Sequence, residues 1–379
     1  MLSCAELGLG HVSRLLPLGK MLENRGHELF FFSGGTAYQL LRKEFKSVYP
    51  CTPVGWYENA RGIITSASLM NILLPLPYRR SERDKIQIKS STAMETIHRY
   101  YDLREHIREI KPDRVVSDGD IHALRLARRW KIPSVYITNI IRPSYNFSPL
   151  LIPGERLTES YVKKCSKIVV PDNSPPYTVC EYNLGDLNKI GVGDKVEFVG
   201  SFLDMTPDEG SEDYVFASIS GPVGTRAKLR QTVIPVLEEL DTRSIVGLGE
   251  PDKKVHVKTG NCEIFSWLSR EERHKYMQNS GIVIFSGGHI TCLETIKYAK
   301  PSICIPTQSE QMGNARKMKD LGCSEIVQSK EKLKSTLERV EESRQFYRRH
   351  VRVVNECSRA LKGLENAVAV IEDSSSLTM

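Results

Sequence analysis

The stretch from residue 282 to residue 314 carries the side chains whose types and spacing point most directly to chemistry. An apolar run rich in β-branched residues, 282–285, ends in a turn of small residues, and a helix is predicted to open with the hydroxyl of Thr291. The N-terminus of a helix binds phosphate through its free backbone N–H groups and its positive dipole end. Glu294, one turn further, can accept hydrogen bonds from a ribose. These residues predict an anion site beside a sugar hydroxyl site.

The loop after the next predicted strand adds polar side chains to the same edge. That strand, residues 302–305, ends at Pro306, and the loop beyond it carries Glu310 and Gln311. Because the carboxyl ends of parallel strands meet at one edge of a sheet, these side chains are expected near the predicted phosphate turn. Together the two segments predict a pocket for a diphosphate with a ribose on one side and a sugar on the other.

A glycine-rich loop near the N-terminus contains a candidate base. The motif Gly8-Leu-Gly10-His11 lies where a short first strand is predicted to meet the first helix. Its glycines permit a tight turn and a close approach of the backbone. Histidine can remove a proton near neutral pH, so His11 is a candidate for activating an acceptor hydroxyl. A helix cap or a polar surface side chain is the alternative interpretation.

The motif Asp118-Gly-Asp120 ends another predicted strand, at the same edge as His11 if the sheet is parallel. Asp118 could orient the histidine and stabilise its charge. A D-x-D pattern can also hold a metal that bridges a nucleotide diphosphate, and Asp120 could simply cap a helix. Because helix ends already neutralise phosphate, we expect no dedicated metal site and no required cofactor, with at most a loosely bound Mg²⁺ on the donor diphosphate.

Two further segments could contribute to the pocket. In the turn at residues 220–225, Gly221, Gly224 and Thr225 could present donors to phosphate, or could form a plain strand–helix turn. In the segment 265–268, Trp267 and Leu268 could form a wall for a nucleobase, and a place in the core is the alternative.

An apolar segment followed by basic residues suggests contact with a membrane. Residues 69–78 are mostly apolar, and apolar side chains beside a basic cluster can rest on an anionic bilayer. A partly buried loop with a solvated flank is the alternative. The basic residues that follow are Arg79, Arg80, Arg83, Lys85 and Lys89.

Length and composition limit the class of protein. A chain of 379 residues exceeds what one core usually supports, which favours two domains. A net charge of +7 slightly favours acidic ligands, and without a basic stripe interleaved with aromatics we expect no nucleic-acid partner.

The nine cysteines are scattered and contain no C-x-x-C pair, which indicates neither a zinc site nor disulfides. We expect a cytoplasmic protein that can rest on the inner face of the cell membrane.

Alternation of predicted strands and helices in both halves indicates two doubly wound parallel sheets. We expect an N-terminal acceptor domain at residues 1–203, a linker at 204–213 and a C-terminal donor domain at 214–345. Residues 346–379 are expected to hold a helix that returns to the first domain, followed by a tail. One long charged helix is predicted from about residue 330 to residue 371.

Taken together, these motifs resemble GT-B glycosyltransferases, in particular the group around the bacterial peptidoglycan N-acetylglucosaminyltransferase, with its archaeal relatives, and the UDP-glucuronosyltransferases. The resemblance covers roughly residues 2–322 and is most specific over 286–314. It implies an α/β protein of two Rossmann-like domains that face a central cleft. The C-terminal domain would hold a nucleotide-sugar donor and the N-terminal domain an acceptor.

The resemblance also implies roles for individual residues. It places His11 near the reactive centre, with Gly8 and Gly10 on the acceptor side. It assigns Glu294 to the ribose, Thr291 with residues 286–288 to the diphosphate, and Glu310 with Gln311 to the donor sugar. The donor residues expected from all motifs are Gly221, Gly224, Thr225, Trp267, Leu268, Ser286, Gly287, Gly288, His289, Thr291, Glu294, Glu310, Gln311 and Asn314.

The chain departs from this group in two of its predicted phosphate loops, and its first strand is expected to be shorter than in the group. Related UDP-glucuronosyl and plant glucosyltransferases carry a histidine where this chain has Ser286, and here His289 follows three residues later. The loop at residues 221–224 is Gly-Pro-Val-Gly, where the group usually has a Gly-Gly-Ser type. The loop differences concern the phosphate contacts.

The expected function is transfer of a hexose-type sugar from a nucleotide diphosphate donor to a hydroxyl acceptor. The resemblance alone implies uridine diphosphate as the carrier. A lipid or another cell-envelope glycoconjugate precursor is the acceptor we consider. The alternatives are a nucleotide-sugar epimerase of the same fold and a non-catalytic nucleotide-sugar binding subunit of a membrane complex.

Overall fold

Two seven-stranded β-sheets, each flanked by helices, form the two halves of the protein. The computed structural model describes residues 1–5, 8–54, 56–59, 62–65, 74–78, 87–144, 152–206, 210, 214–221, 223–250 and 255–373. Within these ranges, no helix is long and apolar enough to cross a membrane.

The described strands and helices alternate along most of the chain. In chain order the strands are β1 (Leu2–Cys4), β2 (Phe31–Ser33), β3 (Val48–Pro50), β4 (Trp56–Asn59), β5 (Gly62–Thr65), β6 (Leu76–Tyr78), β7 (Gln87–Lys89), β8 (Val115–Asp118), β9 (Ser134–Ile137), β10 (Lys167–Val170), β11 (Val196–Phe198), β12 (Val215–Ser218), β13 (Ser244–Gly247), β14 (His256–Thr259), β15 (Cys262–Phe265), β16 (Ile282–Phe285), β17 (Ser302–Cys304) and β18 (Ser324–Ile326). The helices are α1 (Gly8–Asn24), α2 (Gly35–Glu44), α3 (Thr92–Ile110), α4 (Ile121–Arg129), α5 (Ile152–Val162), α6 (Glu181–Leu184), α7 (Leu187–Ile190), α8 (Val223–Leu237), α9 (Arg270–Asn279), α10 (His289–Lys297), α11 (Ser309–Asp320), α12 (Lys330–Glu342), α13 (Arg344–Arg359) and α14 (Gly363–Asp373), with a short 3₁₀ turn at Gly193–Lys195.

Both sheets are doubly wound. The N-terminal sheet has the order β11-β10-β9-β8-β1-β2-β3 and is parallel throughout. The C-terminal sheet has the order β14-β15-β13-β12-β16-β17-β18, and only its edge strand β14 is antiparallel. The fold class expected from the alternating pattern is therefore confirmed.

The strand sequences explain this arrangement. The residues of β9, β12 and β16 are buried along their whole length, because helices cover both faces of a parallel sheet. Continuous apolar runs such as Ile-Val-Ile-Phe in β16 suit that environment, whereas alternating runs would expose one face to solvent. Two antiparallel hairpins, β4 with β5 and β6 with β7, stand outside the two sheets.

Each sheet has a point where its strand order reverses, and ligands of open α/β proteins bind there. In the N-terminal sheet it lies between β1 and β8, where Cys4 pairs with Asp118. In the C-terminal sheet it lies between β12 and β16, where Ser218 pairs with Phe285. The loops that carry the predicted catalytic and phosphate residues leave from these two points.

The C-terminal segment corrects one prediction from the sequence. In place of one helix from residue 330 to residue 371, the structure has the three helices α12, α13 and α14, with breaks at Ser343 and before Gly363. A Cβ on Gly363 would collide with the carbonyl oxygen of Ser201, so tertiary packing fixes the second break. Helix α14 packs on α1, with Ala367 and Val368 buried in the N-terminal core.

The predicted linker lies between β11 and β12. Of its residues, 207–209 and 211–213 lie outside the described residues. Met205 is buried in the C-terminal core, and its carbonyl accepts a hydrogen bond from Asn355 of α13. This end of the segment is therefore packed against the C-terminal half.

Candidate active site

His11 and Asp118 lie together at the reversal point of the N-terminal sheet. His11 is in the first turn of α1, and Asp118 ends β8, the neighbouring strand of β1. Nδ1 of the imidazole is 2.6 Å from Oδ1 of the carboxylate. The histidine side chain is 27% exposed and the carboxylate is fully buried. Among the described residues no group hydrogen-bonds to Nε2, so that nitrogen is available to a ligand.

Arg14 completes this cluster. Its Nε donates to Oδ2 of Asp118 at 2.9 Å, and its Nη2 donates to Oδ1 at 2.6 Å. Burial alone would raise the pKa of Asp118, but the charges and hydrogen bonds of Arg14 and His11 outweigh it and hold that pKa below its ordinary value. Asp118 is therefore ionised at neutral pH, as a carboxylate must be to orient a histidine and stabilise its protonated form.

Gly119 lies directly behind the imidazole. Its φ is +75°, and a Cβ at this position would lie 2.7 Å from Cε1 of His11. Only glycine combines this backbone conformation with so close an approach.

Asp120 lies away from His11 and has a structural role. Its Oδ2 accepts hydrogen bonds from Nε and Nη2 of Arg99, at 3.1 and 2.7 Å, and from the hydroxyl of Ser3. Its Oδ1 accepts the backbone N–H of His122, which makes it the N-cap of α4. Burial opposes ionisation, but Arg99 dominates and lowers the pKa of Asp120 to about 2. The structure therefore shows Asp120 as a helix cap, the alternative named for it in the sequence analysis.

The turn after β16 forms the opposite wall. Gly287 has φ +92°, and a Cβ there would lie 2.7 Å from the carbonyl oxygen of Gln311. Gly288 is the N-cap of α10, and a Cβ there would meet only open space. The helix begins at His289, two residues before the predicted start at Thr291, and its N-cap Gly288 makes no side-chain cap bond. The small residues leave the helix N-terminus accessible to an anion.

The two walls approach each other at Gly10 and Ile290. A Cβ on Gly10 would lie 3.6 Å from Cδ1 of Ile290, an ordinary van der Waals distance. The first turn of α1, which carries His11, therefore faces the first turn of α10. This proximity places the candidate base and the candidate anion site at one cleft.

Glu294 is buried and already engaged. Arg273 of α9 donates from Nη1 to Oε1 at 2.8 Å and from Nη2 to Oε2 at 2.6 Å, while Nε2 of His274 lies 3.2 Å from Oε1. Burial would raise the pKa of Glu294, but Arg273 and His274 outweigh it and lower that pKa to about 2. The ribose contact predicted for Glu294 would have to be made beside this bidentate pair.

Glu310 and Gln311 sit at the start of α11, where the halves meet. Oε1 of Glu310 accepts a hydrogen bond from Nδ2 of Asn139 at 2.9 Å, and Asn139 follows β9 of the other half. Oε1 of Gln311 accepts from both the backbone N–H and the hydroxyl of Thr307, each at 3.0 Å. This fixes the amide so that its NH₂ group points away from Thr307.

Two predicted donor residues instead join the halves. Asn314 is fully buried: its Nδ2 donates to the carbonyl of Gly287, and its Oδ1 accepts from Nδ2 of Asn183. His289 is 4% exposed, and its Nε2 lies 3.0 Å from Oδ2 of Asp172. Both side chains are therefore buried in bonds between the halves, and the donor contacts predicted for Asn314 and His289 are not made by side chains exposed to the cleft.

The remaining predicted residues are divided between surface and core. Trp267 is 45% exposed, whereas Leu268 is buried in the C-terminal core, so its side chain is a core residue and not a wall for a base. Gly221 has φ +99°, and its carbonyl accepts from Nη1 of Arg226 at 2.9 Å. Gly224 and Thr225 lie in the first turn of α8, and Gly8 is the first residue of α1. Ser286 and Thr291 are buried, at 3% and 9% exposure.

One buried cluster has ligand types suited to a metal. One potential ligand atom each from Asp172, Cys180 and His289 lies within 4.8 Å of the others. However, Oδ2 of Asp172 already accepts from the backbone N–H groups of Val179 and Cys180 and from the hydroxyl of Thr178. The donors around this oxygen favour a hydrogen-bonded carboxylate over a metal ligand.

Several residues of the site were missed by the sequence analysis. No motif points to Arg14, Arg273, Asn139 or Asp172, because their partners Asp118, Glu294, Glu310 and His289 are more than ten residues away in sequence. The signal that could have found Gly119 is its place between two acidic residues at a strand end. The missed polar residues that bond to predicted ones are Arg14, Asn139, Asp172, Asn183 and Arg273.

Comparison with known proteins agrees with this geometry. Residues 226–356 match the glycosyltransferase family 28 C-terminal domain. A relative from Methanosarcina acetivorans, described as an uncharacterized glycosyltransferase, is 28% identical over 86% of this chain and 84% of its own length. The solved glycotransferase of kitacinnamycin superposes with a TM-score of 0.70 at 14% identity, covering 98% of each chain. MurG from Acinetobacter baumannii does so with a TM-score of 0.62 at 14% identity, also covering 98% of each.

The solved structures share the fold, and the matched domain and the archaeal relative give the class of enzyme. The fold and site define a GT-B protein of two Rossmann-like halves. The chain is a glycosyltransferase with the GT-B fold, and its residues 226–356 match the family 28 C-terminal domain. The resemblance found in the sequence is confirmed.

Proposed function

We propose that this glycosyltransferase moves a hexose-type sugar from a nucleoside diphosphate to a hydroxyl acceptor, with His11 as general base. The observation that carries the proposal is the 2.6 Å contact of His11 Nδ1 with buried Asp118, which leaves Nε2 without a partner among the described residues. The proximity of Gly10 to Ile290 supports placing that nitrogen opposite the donor turn.

The proposed reaction follows from these positions. Nε2 of His11 takes the proton of the acceptor hydroxyl, and the acceptor oxygen forms a bond to the anomeric carbon of the donor sugar. The bond between that carbon and the diphosphate oxygen breaks, and the diphosphate leaves with the electron pair. Asp118 stabilises the imidazolium, and the N-terminus of α10 stabilises the charge that develops on the diphosphate.

The polar residues at the start of α11 support recognition of the donor sugar. Glu310 and Gln311 lie where both halves contribute, and Asn139 fixes the carboxylate of Glu310. Because the carboxylate of Glu310 and the amide of Gln311 keep hydrogen-bonding capacity beyond their bonds to Asn139 and Thr307, they can bind sugar hydroxyls. Uridine diphosphate is the carrier we propose, on the resemblance of the phosphate and ribose motifs. A Mg²⁺ ion bound loosely with the diphosphate belongs to the same proposal.

We also propose a lipid or other envelope-precursor acceptor, with the protein resting on an anionic membrane. Most of the basic apolar segment that suggests it, residues 69–89, lies outside the described residues. The described residues at its ends, Leu74 and Ile88, are 55% and 74% exposed. Helix α3 exposes Met94, Ile97 and Tyr101 on one face. Apolar side chains beside basic ones favour a bilayer surface.

A liposome flotation assay tests the membrane proposal. Wild type and an Ile97→Ser/Tyr101→Ser variant are mixed with vesicles that contain anionic or only neutral lipid. We expect wild type to float with the anionic vesicles and the variant to float less. Equal binding by both proteins would remove helix α3 from the proposal.

The proposed reaction is tested with the variant His11→Ala. We expect it to bind the nucleotide-sugar donor like wild type and to lose turnover by a factor on the order of 10²–10⁴, the usual contribution of a general base. Undiminished turnover would remove His11 from the mechanism.

Incubation of wild type with the donor alone separates glycosyl transfer from the alternative functions, because an epimerised sugar nucleotide would indicate an epimerase. Binding without turnover toward any acceptor would indicate a binding subunit.

A further inference from the structure

Asn183 connects the N-terminal half to both parts of the predicted donor site, although no sequence motif indicates it. It lies in α6, the four-residue helix between β10 and α7, and the residue is fully buried. Its Nδ2 donates to the backbone carbonyl of Glu310 at 3.0 Å and to Oδ1 of Asn314 at 2.8 Å. Because an amide NH₂ group has two hydrogens, α11 uses the whole donor capacity of this side chain.

The backbone of Asn183 is fixed by its own half. Its carbonyl accepts the backbone N–H groups of Ile141 and Arg142, at 2.9 and 3.1 Å, from the loop after β9. Its N–H donates to the carbonyl of Cys180 at 2.9 Å, and the N–H of Cys180 donates in turn to the buried carboxylate of Asp172. These bonds set the position of Asn183 on the N-terminal sheet, so its side chain places α11 relative to that sheet.

Asn314 extends this connection to the predicted diphosphate turn. Its oxygen accepts from Asn183, and its Nδ2 donates to the carbonyl of Gly287 at 3.0 Å. A flipped amide at Asn314 would set two oxygens against each other at Gly287 and two NH₂ groups against each other at Asn183. Asn183 therefore fixes the orientation of Asn314, and the turn at residues 286–288 is held in register with α11.

Gly313 makes room for Asn183. It lies inside α11, where glycine gives a less stable helix than alanine would. A Cβ at Gly313 would collide with Oδ1 of Asn183 and would lie 3.0 Å from its Nδ2. Among the described residues Oδ1 has no hydrogen-bond partner, so this side of the amide is held by close packing.

The residues that Asn183 places are the ones predicted to recognise the donor sugar. The carbonyl that it holds belongs to Glu310, and Gln311 is the next residue of α11. The carboxylate of Glu310 is held by the same half, through Asn139. Within the described part of the chain, Asn183 bonds to no residue in the first turn of α10, where the diphosphate is expected.

We propose that Asn183 is a positioning residue for the sugar part of the donor: it holds Glu310 and Gln311 at a fixed distance from the diphosphate turn. The inference rests on the proposed function, since it concerns the donor of that reaction. A sugar on a diphosphate bound at α10 bonds to these side chains only while α11 keeps its place, because a shift of about 1 Å breaks a hydrogen bond. A nucleoside diphosphate without a sugar does not use them.

Calorimetric titration with nucleotide sugars and with bare diphosphates separates these two parts of the donor. Wild type is titrated with UDP-glucose, UDP-N-acetylglucosamine and TDP-glucose, and the one that binds most tightly is compared with its own diphosphate, UDP or TDP. The variants are Asn183→Ala, which removes the amide, and Gly313→Ala, which displaces it while raising helix propensity. Thermal unfolding shows whether each variant is folded.

Tyr182→Phe is the matched control. The hydroxyl of Tyr182 donates to Oδ2 of Asp320 at 2.6 Å, so this variant also removes a hydrogen bond between α6 and α11. Asp320 is the last residue of α11, about 15 Å along the helix from Glu310. The control therefore weakens the contact between the halves at the far end of α11.

We expect Asn183→Ala to bind the nucleotide sugar about 10-fold more weakly than wild type, as for the loss of a buried hydrogen bond. Gly313→Ala should weaken binding of the nucleotide sugar in the same direction. The affinity of both variants for the bare diphosphate should stay near that of wild type. Tyr182→Phe should bind both ligands nearly as wild type does.

Three results would overturn the inference alone. These are equal losses for nucleotide sugar and bare diphosphate in Asn183→Ala, no loss for either ligand, or the same selective loss in Tyr182→Phe. If Asn183→Ala does not fold, the same comparison in Gly313→Ala decides. In each case wild type still binds a nucleotide sugar, so the proposed function stands. If wild type binds none of the three nucleotide sugars, the proposed function fails and this inference fails with it.

Discussion

Gly119 lies directly against the imidazole of His11, so that a methyl group added to it would come within 2.7 Å of Cε1 and 3.1 Å of Nδ1. The imidazole cannot move away from such a methyl group and keep its hydrogen bond to Asp118, because Nδ1 and the adjacent Cε1 face Gly119 and Nδ1 also bonds to Asp118. The position of the candidate base therefore depends on the absence of a side chain at residue 119.

The variant Gly119→Ala should lose activity through this contact. A displacement of a reacting group by about 1 Å costs on the order of 10²-fold in rate, and we expect a loss of that size in kcat with donor affinity unchanged. Gly26→Ala is the control: Gly26 also has a positive φ, +88°, but a Cβ there meets nothing within 4 Å. Both variants should lose similar stability from backbone strain, and only Gly119→Ala should lose turnover. Equal kcat values would show that His11 tolerates the shift.

The variant Asp118→Asn tests whether Asp118 acts on His11 through its charge or only by orienting the ring. The amide keeps the shape of the side chain, but it cannot stabilise an imidazolium, and it leaves Arg14 without its ionic partner. We expect kcat to fall by about 10²-fold or more, with an unchanged dissociation constant for the donor. Steady-state kinetics and calorimetric titration measure the two quantities. An activity loss explained entirely by weaker donor binding would argue against the dyad.

The hydrogen bond between Asn139 and Glu310 predicts a role in donor binding. Asn139→Asp places a second carboxylate 2.9 Å from Oε1 of Glu310, and like charges at this distance repel. We expect the KM for the donor to rise by about tenfold or more, with a smaller rise in Asn139→Ser, which only removes the bond. Kinetics with varied donor, at saturating acceptor, compare the two. A larger effect of Asn139→Ser would indicate that packing, and not charge, matters at this contact.

The architecture followed from the sequence because its signals are local. Buried strands such as β16 are continuous β-branched runs, and the glycine-rich turns after them mark where each strand ends. The parallel-sheet rule then predicted that His11 and Asp118 share an edge, although 107 residues separate them. The helix from residue 330 to residue 371 was predicted as one piece because its charged pattern is continuous, whereas the break before Gly363 depends on contact with Ser201.

The site was less predictable for a physical reason. Motifs identify residues by their type and their neighbours in sequence. Arg14 and Arg273 instead bond to Asp118 and Glu294, which are distant in sequence, and the motifs used here assign no role to either arginine. Arg273 lies 21 residues before Glu294, and only the packing of α9 against α10 brings them together. The resemblance places His289 among the donor residues, three residues after the histidine position of related enzymes, but its side chain lies against Asp172. Backbone features were therefore predicted better than the side-chain bonds between segments.

The pair of Asp120 and Arg99 predicts how stability depends on pH. The pKa of Asp120 is about 2 in the folded protein, against 3.8 for an unperturbed aspartate, so the folded state favours the ionised form. The contribution is fully present above the unfolded pKa and is lost as the pH falls from about 5 through the folded pKa. The difference corresponds to about 2 kcal/mol of unfolding free energy.

Asp120→Asn should remove this part of the pH dependence. We expect the difference in unfolding free energy between wild type and variant to shrink by about 2 kcal/mol between pH 6 and pH 2. Urea unfolding followed by circular dichroism measures it, and Glu365→Gln on α14 serves as the control, because it also removes one carboxylate. A difference between wild type and Asp120→Asn that is the same at both pH values would show that Asp120 titrates alike in the folded and unfolded chains.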